Sequence, residues 1–536
     1  MPHEAGPPLM HAVEAFELVL GLLALVIVLH WLALKLRWPP ATALLVGGGA
    51  LAFVPGLPAI SLDPELALVL FLPPLLMDGA YYTALGRFRR HLPGILSLAI
   101  GAVVFTTLAV GVVTHWILPS LPWAACFALG AIVSPPDAVS ARAVLKGVPL
   151  PRRLAALLEG ESLLNDATGL ILFRFAVAAA LSGMFHLGEA VQSFALVAVG
   201  GVAIGAAAGA IWIFVARRLR DRMLVVLANV GLCWAAYLAG EAVHVSGVIA
   251  TVTAGLILGW YQHVILSADI RLVGNSAWQI LVFVLEALVF ILIGFSLRGA
   301  IDRIGGVAGM PASTIAVIVA VVLTVTVARF LWILGSELLL ETARKAGVKR
   351  ARPLGWRQAT VLGWAGMRGV VTLAVPLTLP IDMPGRDLML ICAFAVIFVT
   401  VVVQGSSLGW LIGKIHPVDT DPPAKMDMPA AEGAMARARF EVIERQAYAP
   451  DGTLVHPMML QEYRRRMDFM DRYEADADTA MENLRPHFDI LLEAIAAGRA
   501  ELIRIHRAGL IEDEVLHELE RDLDVEQMGI TFQRGD

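Results

Sequence analysis

The stretch "EGESLLNDATGLILF", residues 159–173, sets Glu159, Glu161, Asn165 and Asp166 at the head of a segment that otherwise reads as lipid-soluble helix. A carboxylate in hydrocarbon is costly, and polar residues at that depth mark functional sites by default. A desolvated carboxyl group escapes its charge by holding a proton or by holding a small cation. Competition of the two for Asp166, near the middle of its span with Asn165 beside it, is a complete exchange chemistry. The structural alternative has Asp166 only bonding to neighbouring helices.

Two other stretches carry charge where helices must break. In "SPPDAVSA", Pro135 and Pro136 remove amide donors and clash with the preceding turn, so the chain unwinds beside Asp137. Two roles fit Asp137: a direct or water-mediated ion ligand, or a cap on a half-helix N-terminus. In "GMRGVVTLAVPLTLP", Gly366, Gly369 and Pro376 weaken the helix around Arg368, which is placed to neutralise exposed helix ends across from it.

These residues need a membrane scaffold, and composition supplies one. The 536 residues are 58% hydrophobic and 16% charged, with a mean hydropathy of +0.73. A soluble chain of that length needs far more polar surface. Spans are expected at 14–34, 40–56, 64–82, 92–117, 121–145, 155–181, 190–216, 222–243, 246–261, 277–297, 311–336, 358–380 and 386–412. That makes about thirteen helices in an all-α polytopic membrane protein, with 40–56 and 246–261 marginally short. The N-terminus lacks a basic n-region and cleavage site, so the first helix is expected to be retained.

Basic residues cluster in alternate loops: Lys35 and Arg37; Arg87, Arg89 and Arg90; Arg142, Lys146, Arg152 and Arg153; Arg217, Arg218, Arg220 and Arg222; Arg271; and the run from Arg344 to Arg357. Arg298, Arg303 and Arg386 are the exceptions. This alternation predicts an N-terminus outside and a C-terminus in the cytoplasm. If helices one to six and eight to thirteen are repeats, both broken spans are the fifth of their half, and the odd offset inverts the halves. Matched interrupted, crossed helices in two inverted halves point to a transporter's binding site.

Depth then pairs two more charges. Glu161 lies nearer the cytoplasmic end of its helix than Asp166. Arg329, in "TVTVARFLWILG", sits six or seven residues inside the eleventh span. At about 1.5 Å per residue both lie roughly 8–10 Å deep, which predicts a buried Glu161–Arg329 pair whose role is structural first, a direct ion role for Glu161 being the other reading. Asp78, in "FLPPLLMDGAYY", and Glu286, in "VFVLEALVFILIG", occupy the third helix of each half, either lining the ion path or bonding within the bundle. Arg174 is an outer-funnel residue or a snorkelling arginine, and Glu241 and His244 lie near the outer end of the eighth span.

Residues 1–416 hold 27 Lys/Arg against 20 Asp/Glu, and the remainder holds 14 against 26. A basic membrane domain (1–416), comprising dimerisation and mobile core parts, is thus followed by a Pro- and Asp-rich linker (417–430) and an acidic helical tail (431–536). Within the tail, 431–447, 456–483 and 485–525 carry helical periodicity, with Gly509 as a turn and Asp513 or Glu514 opening the last helix. The basic excess is a topology signal and implies no nucleic acid. No nucleotide fingerprint occurs in the tail, whose roles are a solvated appendage or pH and partner regulation. Cys126, Cys233 and Cys392 lie in apolar runs without metal-ligand spacing and read as packing residues. No cofactor is expected.

"EGESLLNDATGLILF" together with "SPPDAV", "FLPPLLMDGAYY", "GMRGVV" and "VVQGSSL" resembles the sodium/proton exchangers of the NhaP/NHE type, over most of residues 10–415. The resemblance implies a homodimer of thirteen-helix protomers whose core domain carries the ion by elevator-like movement. It implies Asp166 as the essential ion-binding carboxylate, with Ser162, Asn165 and Asp137 around it, Glu161–Arg329 as the buried pair, and Arg368 at the second crossing. Electrogenic relatives have two adjacent aspartates where this chain has Asn165–Asp166, which implies one-for-one, electroneutral exchange. Relatives commonly carry threonine before and proline after the aspartate of the broken helix. Here Pro136 and Ala138 stand in those places, with Ser134 as a partial replacement for the missing hydroxyl. The choice between Na+, K+ and Li+ stays open.

The expected activity is Na+ (or K+) exchange for H+ at the plasma membrane, in the service of pH and cation homeostasis, by a secondary transporter rather than an enzyme. A K+/H+ antiporter is the near alternative. A cation channel would need repeated selectivity loops. An organic-solute symporter would need more polar and aromatic positions at the crossing.

Overall fold

The structure is a computed structural model describing residues 12–36, 38–54, 64–137, 150–183, 187–296, 298–299, 301, 311–348, 352–380, 382–422 and 425–534. Ala138, the end of the fifth expected span, and the loop residues Arg37, Arg142, Lys146, Arg303, Lys349 and Arg350 lie outside the described residues.

The described residues are helical apart from turns and one isolated bridge, Tyr448–Leu454. The first unit, Met1–Asp421, holds α1 (Ala12–Leu36), α2 (Pro40–Ala52), α3 (Pro64–Tyr82), α4 (Leu85–Ile117), α5 (Trp123–Val133), α6 (Arg152–Ser182), α7 (Leu187–Ala216), α8 (Arg222–Ala242), α9 (Gly247–Ile265), α10 (Ala268–Phe295), α11 (Ala312–Lys345), α12 (Trp356–Trp364), α13 (Val370–Leu377) and α14 (Arg386–Ile415). Among the described residues ten of these are long and apolar enough to cross a bilayer. The other three expected spans coincide with α2, with α5 and with the pair α12–α13.

Several helices outrun their apolar cores. The eleventh span, expected to end at 336, continues to Lys345, and the fourth starts at Leu85 rather than 92. Hydropathy marks where lipid ends, whereas a helix continues into water until its capping groups are satisfied elsewhere. Local signals account for the ends that are sharp. Asp221 accepts from the amides of Met223 (2.8 Å) and Leu224 (3.1 Å) to start α8. Ser246 accepts from Ile249 (3.2 Å) to start α9. Gly183, at φ 72°, ends α6 in a left-handed conformation that suits glycine.

Three apolar clusters hold this unit together. The first joins α2, α3, α8 and α10, and the second joins α3 to α5, α6, α9, α11, α13 and α14. The third packs Ile95, Leu154, Leu157, Leu362 and Leu408 where α4, α6, α12 and α14 meet. Beyond α14, residues 416–421 turn back along that same end. Gln358 of α12 donates to the oxygen of Val418 (2.6 Å), Arg152 of α6 to Asp419 (2.6 Å), and His91 of α4 lies 2.9 Å from Asp421.

The second unit, Pro422–Asp536, holds α15 (Met428–Gln446), α16 (Pro457–Ala475), α17 (Ala477–Arg507) and α18 (Asp513–Arg534). The helix expected over 456–483 instead breaks at Asp476, whose carboxylate caps the start of α17 by accepting from Thr479 (3.2 Å). Gly509, at φ 70°, turns the chain into α18, and Phe488, Ile495 and Ile530 form the core between those two helices.

Candidate ion site

The site is built where two helices stop in mid-bundle. α5 ends at Val133 ahead of Pro135 and Pro136, and α12 ends at Trp364, with five residues between it and the start of α13. The two unwound stretches touch: the amide of Asp137 donates to the carbonyl of Met367 at 2.7 Å. Freed peptide groups are tolerated in a membrane only where protein re-satisfies them, and Arg368 does much of that. Its guanidinium donates to the carbonyls of Val133 (3.0 Å), Ser134 (3.1 Å) and Gly366, and its amide donates to the Thr400 hydroxyl (3.0 Å). A cation thus sits against the C-terminal, electronegative end of α5. Thr400 opens a π-helical turn, Thr400–Gly405, within α14, the kind of local bulge that often occurs at functional sites.

Asp137 lies at the opposite pole. Its carboxylate rests on Gly369, the residue preceding α13, where a methyl group would collide with it. The electropositive start of a helix faces a carboxylate there. Pro135 packs against Gly169 of α6, which lets α6 approach the break closely.

α6 carries the remaining groups. Glu161 and Arg329 of α11 form a two-pronged pair, Oε1–Nη1 2.6 Å and Oε2–Nη2 2.9 Å, with 1% and 3% of their surfaces exposed. The Nε of Arg329 also donates to the carbonyl of Leu362 at 3.2 Å. Asn165 donates its amide to the carbonyl of Pro136, while its Oδ1 is buried without a hydrogen-bond partner among the described residues. Asp166 faces a cavity of about 270 Å³ whose wall includes Asp137, Glu159, Ser162 and Thr372, with Leu72, Leu75 and Leu76 of α3 on the apolar side. Among the described residues no arginine or lysine pairs with the Asp166 carboxylate, and its charged neighbour is Asp137.

The structure thus brings Asp137, Ser162 and Asp166 to one cavity, with Asn165 directly behind them. It sets other expected residues elsewhere. Ser134, expected as a partial hydroxyl ligand, lies 3.0 Å from the Thr107 hydroxyl of α4 and is absent from the cavity wall. Asp78 accepts from the indole of Trp278 on α10 at 3.0 Å, a bond within the bundle. Glu286 is half-buried on α10, away from the cavity wall. Arg174 and Glu241 meet in an ion pair at 3.0 Å. Glu159 on the wall, Thr107 and Thr400 were given no role from sequence. The signal for the threonines is slight, because a hydroxyl in an apolar helix commonly bonds the carbonyl four residues back, as Thr107 also does to Val103.

Two interrupted helices meeting over a buried carboxylate, inside a bundle of membrane-spanning helices, define a secondary transporter. Residues 21–414 match the family described as sodium/hydrogen exchanger, transmembrane, and the chain belongs to that family. It is 31% identical over 477 residues to a sodium, potassium, lithium and rubidium/H+ antiporter of Bacillus pumilus, covering 86% of this chain and 70% of that one. It is 30% identical over 504 residues to an uncharacterized Na+/H+ exchanger, YjcE, of Escherichia coli, covering 87% and 89%. The fold is similar to that of the sodium proton antiporter MjNhaP1 of Methanocaldococcus jannaschii, with a TM-score of 0.59 over 75% of this chain and 99% of that one at 19% identity.

Proposed function

We propose that this protein exchanges a monovalent alkali cation for H+ one for one, with Asp166 as the group that holds either. The observation that carries the reading is the environment of Asp166: a carboxylate on a cavity wall, beside a second carboxylate and with no built-in cation among the described residues, five residues from a Glu161 that has one. A site left short of positive charge must take it from outside, as H+ or as a metal ion. Asp137, Ser162 and Asn165 complete the ligand set in this reading. The orphan Oδ1 of Asn165 supports it, since a buried acceptor without a donor is costly. Asn165 in place of a second aspartate gives Asp166 one exchangeable charge per cycle, and hence electroneutral exchange.

The cation range includes Na+, K+ and Li+, as the name of the Bacillus pumilus relative says of that protein. In the proposed topology of thirteen spans in two inverted halves, the C-terminal end of α3 and the N-terminal end of α6 face the cytoplasm. The cavity is then the inward-open stage of an elevator cycle in a plasma-membrane homodimer.

The test is dye-quenching exchange in proteoliposomes with Na+, K+ and Li+ in turn, with membrane potential clamped or left free. Asp166→Asn is expected to insert and to exchange nothing. Proton-coupled cation flux through that variant would refute the assignment, and dependence of the rate on membrane potential would refute one-for-one stoichiometry.

A further inference from the structure

The Arg174–Glu241 pair stands at the end of α6 away from the cavity. Among the described residues the cavity wall takes nothing from α6 beyond Asp166, and Arg174 lies eight residues further on, about 12 Å along the helix axis. Its guanidinium donates to Glu241 of α8 at 3.0 Å, while the other oxygen of Glu241 accepts from the amide of Gly247, the first residue of α9. Glu241 is therefore held by the α8–α9 corner, and Arg174 is held by the helix that carries the ion site. Elsewhere the two sides scarcely meet: α6 packs closely on α4 and α5 but sparsely on α9.

From this we infer that Arg174 and Glu241 are positioning residues, a tie that holds the far end of α6 shut while the cavity is open and that breaks once in each transport cycle. The inference rests on the alternating-access reading above. When α6 shifts along the membrane normal to present Asp166 to the other side, a displacement of one helical turn, about 5.4 Å, parts a contact whose acidic partner is pinned to Gly247. The pair thereby sets the balance between the two open states without touching the ion.

The balance can be read without transport. Leu75→Cys places a thiol on the cavity wall, where Leu75 is 4% exposed, and the three native cysteines are buried. Labelling by an impermeant maleimide from the cavity side then reports how often the cavity is open. In R174Q the labelling rate is expected to fall roughly two- to fivefold, the range set by partly exposed ion pairs. The apparent KM for cation should rise by a like factor on the cavity side and fall on the other. The exchanged pair R174E/E241R should return labelling to the starting rate.

Unchanged labelling in R174Q, or a double exchange no better than either single change, overturns the tie. R174Q leaves the Gly247 contact of Glu241 in place, so it carries the test alone if E241R fails to fold. Labelling needs no bound ion, so exchange surviving in Asp166→Asn would sink the ion-site reading and leave this result to be judged separately.

Discussion

Glu161 and Asp166 lie five residues apart on one helix, both at least nine-tenths buried, and their surroundings are opposite. Glu161 is clamped by both nitrogens of Arg329, so its counter-charge belongs to the protein. Asp166 faces a cavity and a second carboxylate, and in the proposed exchange its counter-charge arrives and leaves. In that proposal the same chemical group is structural in one place and exchangeable in the other, and what differs among the described residues is the presence of an arginine. Arg368 makes the complementary point: a buried cation can be satisfied by the carbonyls of unwound helix ends.

The comparison can be broken most decisively at Asp166. Its conversion to Asn should remove all cation-dependent proton flux while leaving expression and thermal stability near those of the parent. Loss of flux in Glu161→Gln with stability intact, and not in Asp166→Asn, would reverse the two roles. Next in size, Glu161→Gln or Arg329→Gln leaves one buried charge alone and should cost roughly 3–5 kcal/mol, read as a lower melting temperature in detergent. The reversed pair Glu161→Arg with Arg329→Glu should recover part of that. A double variant as unstable as the singles would show that the clamp is not what Glu161 needs.

A smaller effect is expected at Gly369, where alanine pushes a methyl into the Asp137 carboxylate. Overpacking of this kind costs about 1–3 kcal/mol, and cation affinity should weaken by about tenfold or more while the Glu161–Arg329 clamp stays intact. Wild-type affinity in Gly369→Ala, measured by cation-dependent thermal stabilisation, would place Asp137 outside the ligand set.

The mildest effect concerns Asp419. Burial pushes its carboxyl up, but bonds from Arg152 and from the Asp421 amide outweigh this and hold it below the ordinary aspartate range. A depressed carboxyl stabilises the fold above its unfolded value and loses that contribution as pH falls through the lower, folded value. Hydrogen-exchange protection of residues 417–421, taken relative to an unstructured peptide at the same pH, should therefore hold at neutral pH and fall below about pH 4, and Asp419→Asn should remove the transition.

Much of the site was legible because depth is legible. Counting residues from the ends of apolar runs brought Glu161 and Arg329 to one level, and Pro135–Pro136 with Gly366–Gly369 marked where helices stop. Direction around a helix is harder. Ser134 sits at the right level yet turns its hydroxyl to Thr107, because a side chain's bearing depends on which helix packs beside it. Asp78 meets the indole of Trp278, 200 positions away, for the same reason. Asp476 was missed because acidic residues are common throughout the tail, and only geometry shows which of them caps a helix. The return of residues 416–421 along α4, α6 and α12 was invisible, since a Pro- and Asp-rich stretch reads as linker whether or not it is fastened.

That fastening has a mechanical corollary. His91, Arg152 and Gln358 lash α4, α6 and α12 to one short peptide, so those three helices cannot separate at this end without tearing it loose.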